Sequence, residues 1–256
     1  MAVPIQENTC PICGGTGWKI IERGGLSGAS PCTCRAESRT ATLRAGSGIP
    51  SNCDRATLEN FLIPQDNPTE RHLLGTVLMQ IRTFVREFPA ENRPGMLLVG
   101  YPGTGKTHLA VGVLKALIEK GHGGLFYDYQ ALLESIQKSY GGEGDRHALS
   151  NAMDAEVLLL DDLGAKRATD WVEDTVTAII THRCNNRLPL IATTNLPDPD
   201  IIAPREKGKS PGGTPIYEST LAEVIGERSR SRLFEMCRVF RMPSVEDYRV
   251  KHKLVR

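Results

Sequence analysis

The most distinctive chemical pattern in the sequence is the octapeptide GYPGTGKT at residues 100–107. It matches the motif G-x-x-x-x-G-K-[ST], whose backbone N–H groups surround the phosphates of a nucleoside triphosphate. Glycines at positions 103 and 105 can adopt backbone angles closed to other residues, which lets successive N–H groups turn towards phosphate oxygens. We expect the Lys106 amine to bind the β and γ phosphates and the Thr107 hydroxyl to bind Mg²⁺. The predicted nucleotide-binding residues are Gly100, Pro102, Gly103, Thr104, Gly105, Lys106, Thr107 and His108.

Two consecutive acids, Asp161 and Asp162, follow an apolar run at residues 157–160. Such a run is typical of a strand buried on both faces of a parallel sheet, and ligands bind at the carboxyl ends of these strands. We expect Asp161 to hold Mg²⁺, directly or through water, and Asp162 to orient or deprotonate an attacking water. Asn195 ends another strand-like run and could hydrogen-bond the γ-phosphate or that water, although Asn is also an ordinary turn former.

Four of the seven cysteines form a group with the spacing of a metal site: Cys10, Cys13, Cys32 and Cys34. A C-x-x-C turn places two thiolates on one ion, and a second pair completes a tetrahedral zinc site. The second pair here is C-x-C, which departs from the usual zinc-ribbon spacing. Metal binding would supply the folding energy of so small a unit. Reduced structural cysteines and a thioredoxin-like redox pair are the alternatives, and Cys53 is a possible replacement ligand.

Three arginines, Arg228, Arg230 and Arg232, alternate with small residues in a predicted helix. A guanidinium can neutralise the charge that develops on a γ-phosphate, and a neighbouring subunit can supply it. The competing interpretation is a helix face that is simply solvated.

Length and charge limit the classes of protein to which the chain could belong. Its 256 residues are enough for one α/β domain and a small additional unit. The net charge of +1 gives no overall field that attracts nucleic acid, so any such binding depends on local patches. No apolar run is long enough to cross a bilayer, and the N-terminus lacks the apolar region of a secretion signal. We therefore expect no membrane contact and a cytoplasmic location.

The segments around these motifs have the periodicities of alternating strands and helices. Strands are predicted at residues 96–99, 124–129, 155–162, 188–195 and 237–242, and helices at 107–120, 130–140, 146–153 and 170–186. A further helix begins at Asn67 and has an apolar stripe at Leu74, Val77, Leu78, Ile81, Val85 and Phe88.

The remaining segments are interpreted as connections. Residues 35–50 are predicted to be a polar helix or linker, and the domain boundary is placed at the Gly- and Pro-rich residues 46–50. We thus predict a zinc-binding domain at residues 1–49 and an ATPase domain at 50–256. Residues 197–215 are predicted to be a solvated, mobile insertion, with contact to a polymer as the alternative.

Taken in order, four motifs resemble one family. They are the phosphate loop, LLLDDLG at residues 158–164, TTN at 193–195, and GER followed by Arg232 and Leu233 at 226–233. Together they resemble the AAA+ ATPases of the DnaC/DnaI helicase-loader and IstB transposition-helper group, over about residues 50–250.

The resemblance implies an α/β fold of the AAA+ P-loop NTPase type, with a five-stranded parallel sheet, the phosphate-loop strand central, and ATP bound between subunits of a homo-oligomer. Lys106 and Thr107 match Walker A, Asp161 and Asp162 match Walker B, and Asn195 matches sensor 1. Arg232 matches the arginine finger, with Arg228 beside it, and Arg249 is similar to sensor 2. In most AAA+ proteins the second acid is Glu, and the C-terminal helical lid is longer than the tail of this chain allows.

The cysteine-rich N-terminus resembles that of DnaI-type loaders, whose N-terminal part grips the replicative helicase, whereas IstB-type helpers generally lack such a unit. The resemblance therefore implies ATP-dependent loading of a DnaB-type helicase onto single-stranded DNA during replication, with ATP, Mg²⁺ and Zn²⁺ as cofactors. The alternatives are an IstB-like ATPase that assists a transposase, and a nucleotide-dependent adaptor with negligible turnover.

Overall fold

A computed structural model describes residues 10–23, 26–209, 215–245 and 247–248. Its strands are β1 (Trp18–Arg23), β2 (Leu26–Pro31), β3 (Gly95–Val99), β4 (Gly124–Asp128), β5 (Val157–Asp161), β6 (Leu190–Thr194), β7 (Glu206–Lys209), β8 (Pro215–Tyr217) and β9 (Cys237–Arg241). Its helices are α1 (Thr33–Ala45), α2 (Pro68–Glu87), α3 (Lys106–Glu119), α4 (Tyr129–Tyr140), α5 (Ala148–Asp154), α6 (Asp170–Asn185), α7 (Leu221–Ile225) and α8 (Glu227–Met236). A 3₁₀ turn spans Ser51–Cys53.

The centre of the fold is the predicted five-stranded parallel sheet, with strand order β4-β5-β6-β3-β9. One detail of the prediction is wrong, because the middle strand is β6 and not the phosphate-loop strand β3. Strand β9 returns beyond β3 and forms the edge, which leaves β3 an inner strand with β6 on its other side. The residues that follow β3, β5 and β6 therefore meet at one edge of the sheet.

Alternation along the strands produces two apolar layers, one on each face of the sheet. Met96 and Leu98 belong to the cluster that includes α2 and α3, whereas Leu97 and Val99 belong to the cluster that includes α4 to α8. All four side chains are fully buried. The predicted stripe of α2 is also buried, and Asn67 caps this helix by accepting hydrogen bonds from the Thr69 and Glu70 amides.

The N-terminal unit is the antiparallel hairpin β1-β2 followed by α1. Residues 33–45, within the predicted polar helix or linker, form a helix that has no buried residue. Its end is attached to the sheet, since the Phe126 amide donates to the Ser47 carbonyl at 2.7 Å. Arg39 of α1 also donates to the Gly121 carbonyl at 3.2 Å. The domain boundary at residues 46–50 stays a prediction.

The predicted solvated insertion at residues 197–215 is partly wrong, because its first residues are packed. Asp198 is fully buried, and Arg230 of α8 holds its carboxylate. The later residues include β7, which pairs with β8. Within the described part of the chain, no helix combines the length and apolar character needed to span a membrane.

Candidate functional site

The octapeptide forms the predicted turn between strand β3 and helix α3. Gly103 and Gly105 have φ angles of 77° and 89°, which lie in the left-handed region that glycine enters without a steric penalty. Gly105 is the N-cap of α3 and Lys106 is its first residue. The positive end of the α3 dipole therefore faces the loop, which favours binding of an anion there.

Two side chains of the loop contact the same backbone oxygen. The Lys106 amine donates to the Tyr101 carbonyl at 2.8 Å, and the Thr104 hydroxyl donates to it at 2.9 Å. Lys106 is only 6% exposed, so its charge lies inside the loop rather than in solvent. Pro102 is exposed.

The first acid of the pair, Asp161, contacts the phosphate loop directly. The Thr107 hydroxyl lies 3.0 Å from both oxygens of the Asp161 carboxylate, and the Thr193 hydroxyl donates to Oδ1 at 2.6 Å. Burial raises the pKa of Asp161 above its usual value, and the hydrogen bonds from Thr193 and Thr107 oppose part of that rise. Hydroxyl and carboxylate oxygens are the ligands that Mg²⁺ prefers, so this donor set fits the predicted cation.

At the second acid, Asp162, the backbone turns away from strand β5, and the Asp162 carboxylate contacts Asn195. The Asp162 φ of 57° is left-handed, a conformation that Asp tolerates better than most residues. The Asn195 amide nitrogen donates to Asp162 Oδ1 at 2.5 Å. Thus the loop, both acids and Asn195 lie together at the carboxyl ends of β3, β5 and β6.

The segment at residues 57–61 covers the beginning of α3. The His108 Nε2 atom lies 2.9 Å from the Thr57 carbonyl and 2.9 Å from Asn60 Oδ1, and because both are acceptors Nε2 carries the proton. A Cβ added to Gly105 would lie 2.6 Å from the Phe61 ring, so only glycine leaves room for this contact. The contacts of this segment with α3 are visible only in the structure.

The C-terminal segment also reaches the loop. The Asp247 carboxyl group packs against the α-carbon of Gly103 so closely that a side chain there would overlap it, and the Tyr248 amide donates to the Gly103 carbonyl at 3.3 Å. The predicted sensor 2 residue, Arg249, lies outside the described residues.

The three alternating arginines have different environments. Arg230 makes a two-pronged contact with the buried Asp198, at 2.5 and 2.7 Å, and also contacts Asp200. Arg232 pairs with Glu235 of its own helix at 2.7 Å, which raises the pKa of Arg232. Arg228 is exposed. Arg230 is therefore part of the packing of α8, whereas the other two arginines lie at the surface.

The four N-terminal cysteines converge as predicted. Their sulfur atoms all lie within 4.8 Å of one another, with Cys10 Sγ 3.8 Å from Cys32 Sγ and Cys13 Sγ 3.4 Å from Cys34 Sγ. Burial opposes ionisation of Cys13, but its contacts with Cys34 and the Gly17 amide lower its pKa to about 6, whereas the same contact with Cys13 raises the pKa of Cys34. The contact therefore favours the thiolate form, which is the form that binds metal, at Cys13 and not at Cys34.

Cys53 lies apart from this cluster. Within the described ranges, the group of three or more His, Cys, Asp or Glu side chains that could hold a metal ion consists of the other four cysteines, and Cys53 instead packs against the apolar cluster around α2 and α3. A tetrahedral set of four sulfurs is the donor set of a structural zinc ion.

Comparisons with known proteins agree on one family. Residues 79–199 match the family described as "IstB-like ATP binding protein". The uncharacterized protein YqaM of Bacillus subtilis is 27% identical over 177 residues, which cover 67% of this chain and 56% of YqaM. The replicative helicase loader DnaI of the same organism is 29% identical over 109 residues, which cover 42% of this chain and 35% of DnaI. The match thus spans between about a third and just over half of these relatives.

A solved structure extends the likeness. The crystal structure of the DnaC helicase loader is 31% identical, and the superposition covers 76% of this chain and all of that chain, with a TM-score of 0.59.

Proposed function

Because the chain belongs to the DnaC/IstB-like family of AAA+ ATPases, we propose that it hydrolyses ATP to load a DnaB-type replicative helicase onto single-stranded DNA. The ATPase part of this proposal rests on one observation. Lys106, the two acids and Asn195 lie together at one edge of the sheet. The proposed place of action is the cytoplasm.

The proposed chemistry is attack of water on the γ-phosphorus. The new P–O bond forms as the bond to the bridging β–γ oxygen breaks, which yields ADP and phosphate. Asp162 accepts the proton of the water, and Asn195, which contacts Asp162, holds that carboxylate in place. Lys106 and the α3 N-terminus stabilise charge on the phosphate oxygens. Thr107 and Asp161 would hold Mg²⁺, which when bound neutralises part of the phosphate charge.

In this proposal the ATP site is completed by a second copy of the chain. Arg232 of one protomer would contact the γ-phosphate of the ATP bound to its neighbour. Bound ATP would therefore stabilise the interface between the two protomers, and hydrolysis would weaken that interface. The surface position of Arg232 and Arg228 supports this role, because a finger must reach beyond its own protomer.

The cysteine unit is the proposed contact with the helicase. Its hairpin and the turn at residues 10–13 expose large apolar side chains, with Ile12 61%, Trp18 47% and Ile20 80% exposed. The Arg35 guanidinium lies 4.8 Å above the Trp18 ring and adds a charge at the edge of this surface. Apolar surface of this kind is typical of a site that another protein covers.

Removal of zinc is expected to unfold the cysteine unit and abolish retention of a DnaB-type helicase, while ATP binding stays unchanged. The hairpin has too small a core to fold without the metal, whereas the ATPase core has its own apolar layers. The measurement is pull-down of purified helicase by the full chain, with and without chelator, beside a nucleotide titration.

The surface variant Ile20→Ser is the companion to zinc removal, because it should weaken helicase retention with zinc still bound. Thr42→Ser, on α1, is the matched control. Full retention of helicase by the chelated protein would contradict the proposal, and capture of a transposase in place of the helicase would favour the IstB-like function.

An aromatic and basic surface supports contact with single-stranded DNA. The exposed Tyr140 ring meets the Trp171 ring edge to face at 6.5 Å, and the Lys166 amine lies 5.9 Å from the Trp171 ring. Bases stack on exposed aromatic rings while nearby cations hold the phosphates.

Tyr140→Ala is therefore expected to lower affinity for single-stranded DNA by about tenfold and to remove DNA stimulation of the ATPase, because the exposed stacking ring is lost. Fluorescence anisotropy of a labelled oligothymidylate and ATPase assays with and without DNA measure this. Tyr140→Phe keeps the ring and should keep most of the affinity. Near-zero ATPase rates of the wild type under both conditions would instead favour the adaptor function.

A further inference from the structure

Thr193 lies on β6 beside the carboxyl end of β5, and its side chain is 1% exposed. Its hydroxyl donates to Asp161 Oδ1 at 2.6 Å and accepts from the Asp162 amide at 2.9 Å. A hydroxyl has one proton and two lone pairs, so both bonds can exist together. One oxygen atom therefore joins the two successive acids.

The Thr193 backbone strengthens the same connection. Its carbonyl accepts a hydrogen bond from the Leu163 amide at 2.7 Å, so residues 161–163 are all held to one residue of β6. Between them, Asp162 has a left-handed φ of 57°, a conformation that costs energy unless its surroundings stabilise it. The contacts of Thr193 on both sides supply that stabilisation and direct the Asp162 carboxylate to Asn195.

The Thr193 hydroxyl also distinguishes the two oxygens of Asp161. Thr107 shares its single proton between both oxygens at 3.0 Å, whereas Thr193 contacts Oδ1 alone at 2.6 Å. The shorter bond has the length of a charge-assisted hydrogen bond and is the stronger of the two. The Thr193 bond therefore fixes the rotation of the Asp161 carboxylate, whereas the Thr107 bond by itself does not fix it.

We propose that Thr193 is a positioning residue of the nucleotide site, which acts through Asp161 and Asp162 and does not itself touch the nucleotide. The inference rests on the proposed ATPase function. Loss of the hydroxyl leaves the phosphate loop intact but frees the Asp161 carboxylate to rotate and leaves the Asp162 amide without its partner. ATP turnover then slows, and Mg²⁺ raises the affinity for nucleotide less than it does in the wild type. Nucleotide affinity in the absence of Mg²⁺ stays unchanged.

The test compares Thr193→Val, which keeps the shape of the side chain and removes the hydroxyl, with Thr193→Ser, which keeps the hydroxyl. Titration of a fluorescent ADP analogue with Mg²⁺ and with EDTA measures the Mg²⁺ effect, and phosphate release at saturating ATP measures kcat. For Thr193→Val we expect kcat to fall about 10- to 100-fold and the Mg²⁺ effect to be largely lost. Thr193→Ser should stay close to the wild type, and Thr193→Ala replaces Thr193→Val should the latter not fold.

Three outcomes would overturn the inference. These are an unchanged kcat and Mg²⁺ effect in the hydroxyl-free variant, an equal loss in Thr193→Ser, and an equal loss of binding in EDTA, which would indicate general damage to the site. A wild-type protein without turnover would contradict the proposed ATPase function, whereas the comparison of Mg²⁺-dependent binding would still decide the role of Thr193.

Discussion

Replacing Lys106 with alanine is expected to abolish measurable ATP hydrolysis and to weaken nucleotide binding by about 100-fold or more, which is about 2.7 kcal/mol. The amine lies inside the loop on the Tyr101 carbonyl, so it is already close to where the phosphates would bind. Without it, the charge on the β and γ oxygens would face only backbone N–H groups and the helix dipole.

Lys120→Ala is the matched control for this experiment. Lys120 follows the other end of α3, and its amine donates to the Val85 and Arg86 carbonyls, far along the helix from the loop. Its removal should leave nucleotide affinity unchanged. The measurements are titration with a fluorescent nucleotide and phosphate release, and wild-type hydrolysis by Lys106→Ala would refute the phosphate-loop assignment.

Arg232→Ala is expected to lower hydrolysis by about a thousandfold while ATP binding is largely kept. An arginine finger acts on charge that develops in the transition state, so its loss affects the rate more than the affinity. In the isolated chain Arg232 pairs with Glu235, and both side chains are partly exposed. An exposed pair of this kind contributes little, so Arg232 can exchange Glu235 for a triphosphate in a neighbouring protomer.

Mixing Arg232→Ala protomers with Asp161→Ala protomers should restore part of the hydrolysis. At some interfaces between protomers, an intact Walker B site then faces an intact Arg232 from the other variant. Arg71→Ala, at an exposed position of α2, controls for the loss of a surface arginine. Absence of recovery in the mixture would argue against a finger that acts between protomers.

The local sequence was sufficient to predict the strand, loop and helix that position the residues of the nucleotide site. The strand, loop and helix at residues 95–119 follow from a buried apolar run and from glycines that adopt positive φ, both of which depend on residues close in the chain. The cysteine cluster was also predictable, because thiol spacing limits which sulfur atoms can share an ion.

Contacts between elements were decided by the tertiary structure. Three alternating arginines look equivalent in the sequence, yet the buried Asp198, which lies 32 residues from Arg230, binds that one arginine and leaves Arg228 and Arg232 at the surface. Likewise, β6 is the middle strand because β9 returns beyond β3, a result that no local periodicity encodes.

By itself, the sequence determined which groups this protein can use on a nucleotide, because backbone freedom at glycine, charge at lysine and oxygen donors at Thr107 and Asp161 are properties of residue type and local spacing. Only the tertiary structure decided how those groups are held, since the hydroxyl of Thr193 and the amide of Asn195 reach the two acids from a neighbouring strand. Such contacts depend on strand order and register, which arise when distant segments pack together.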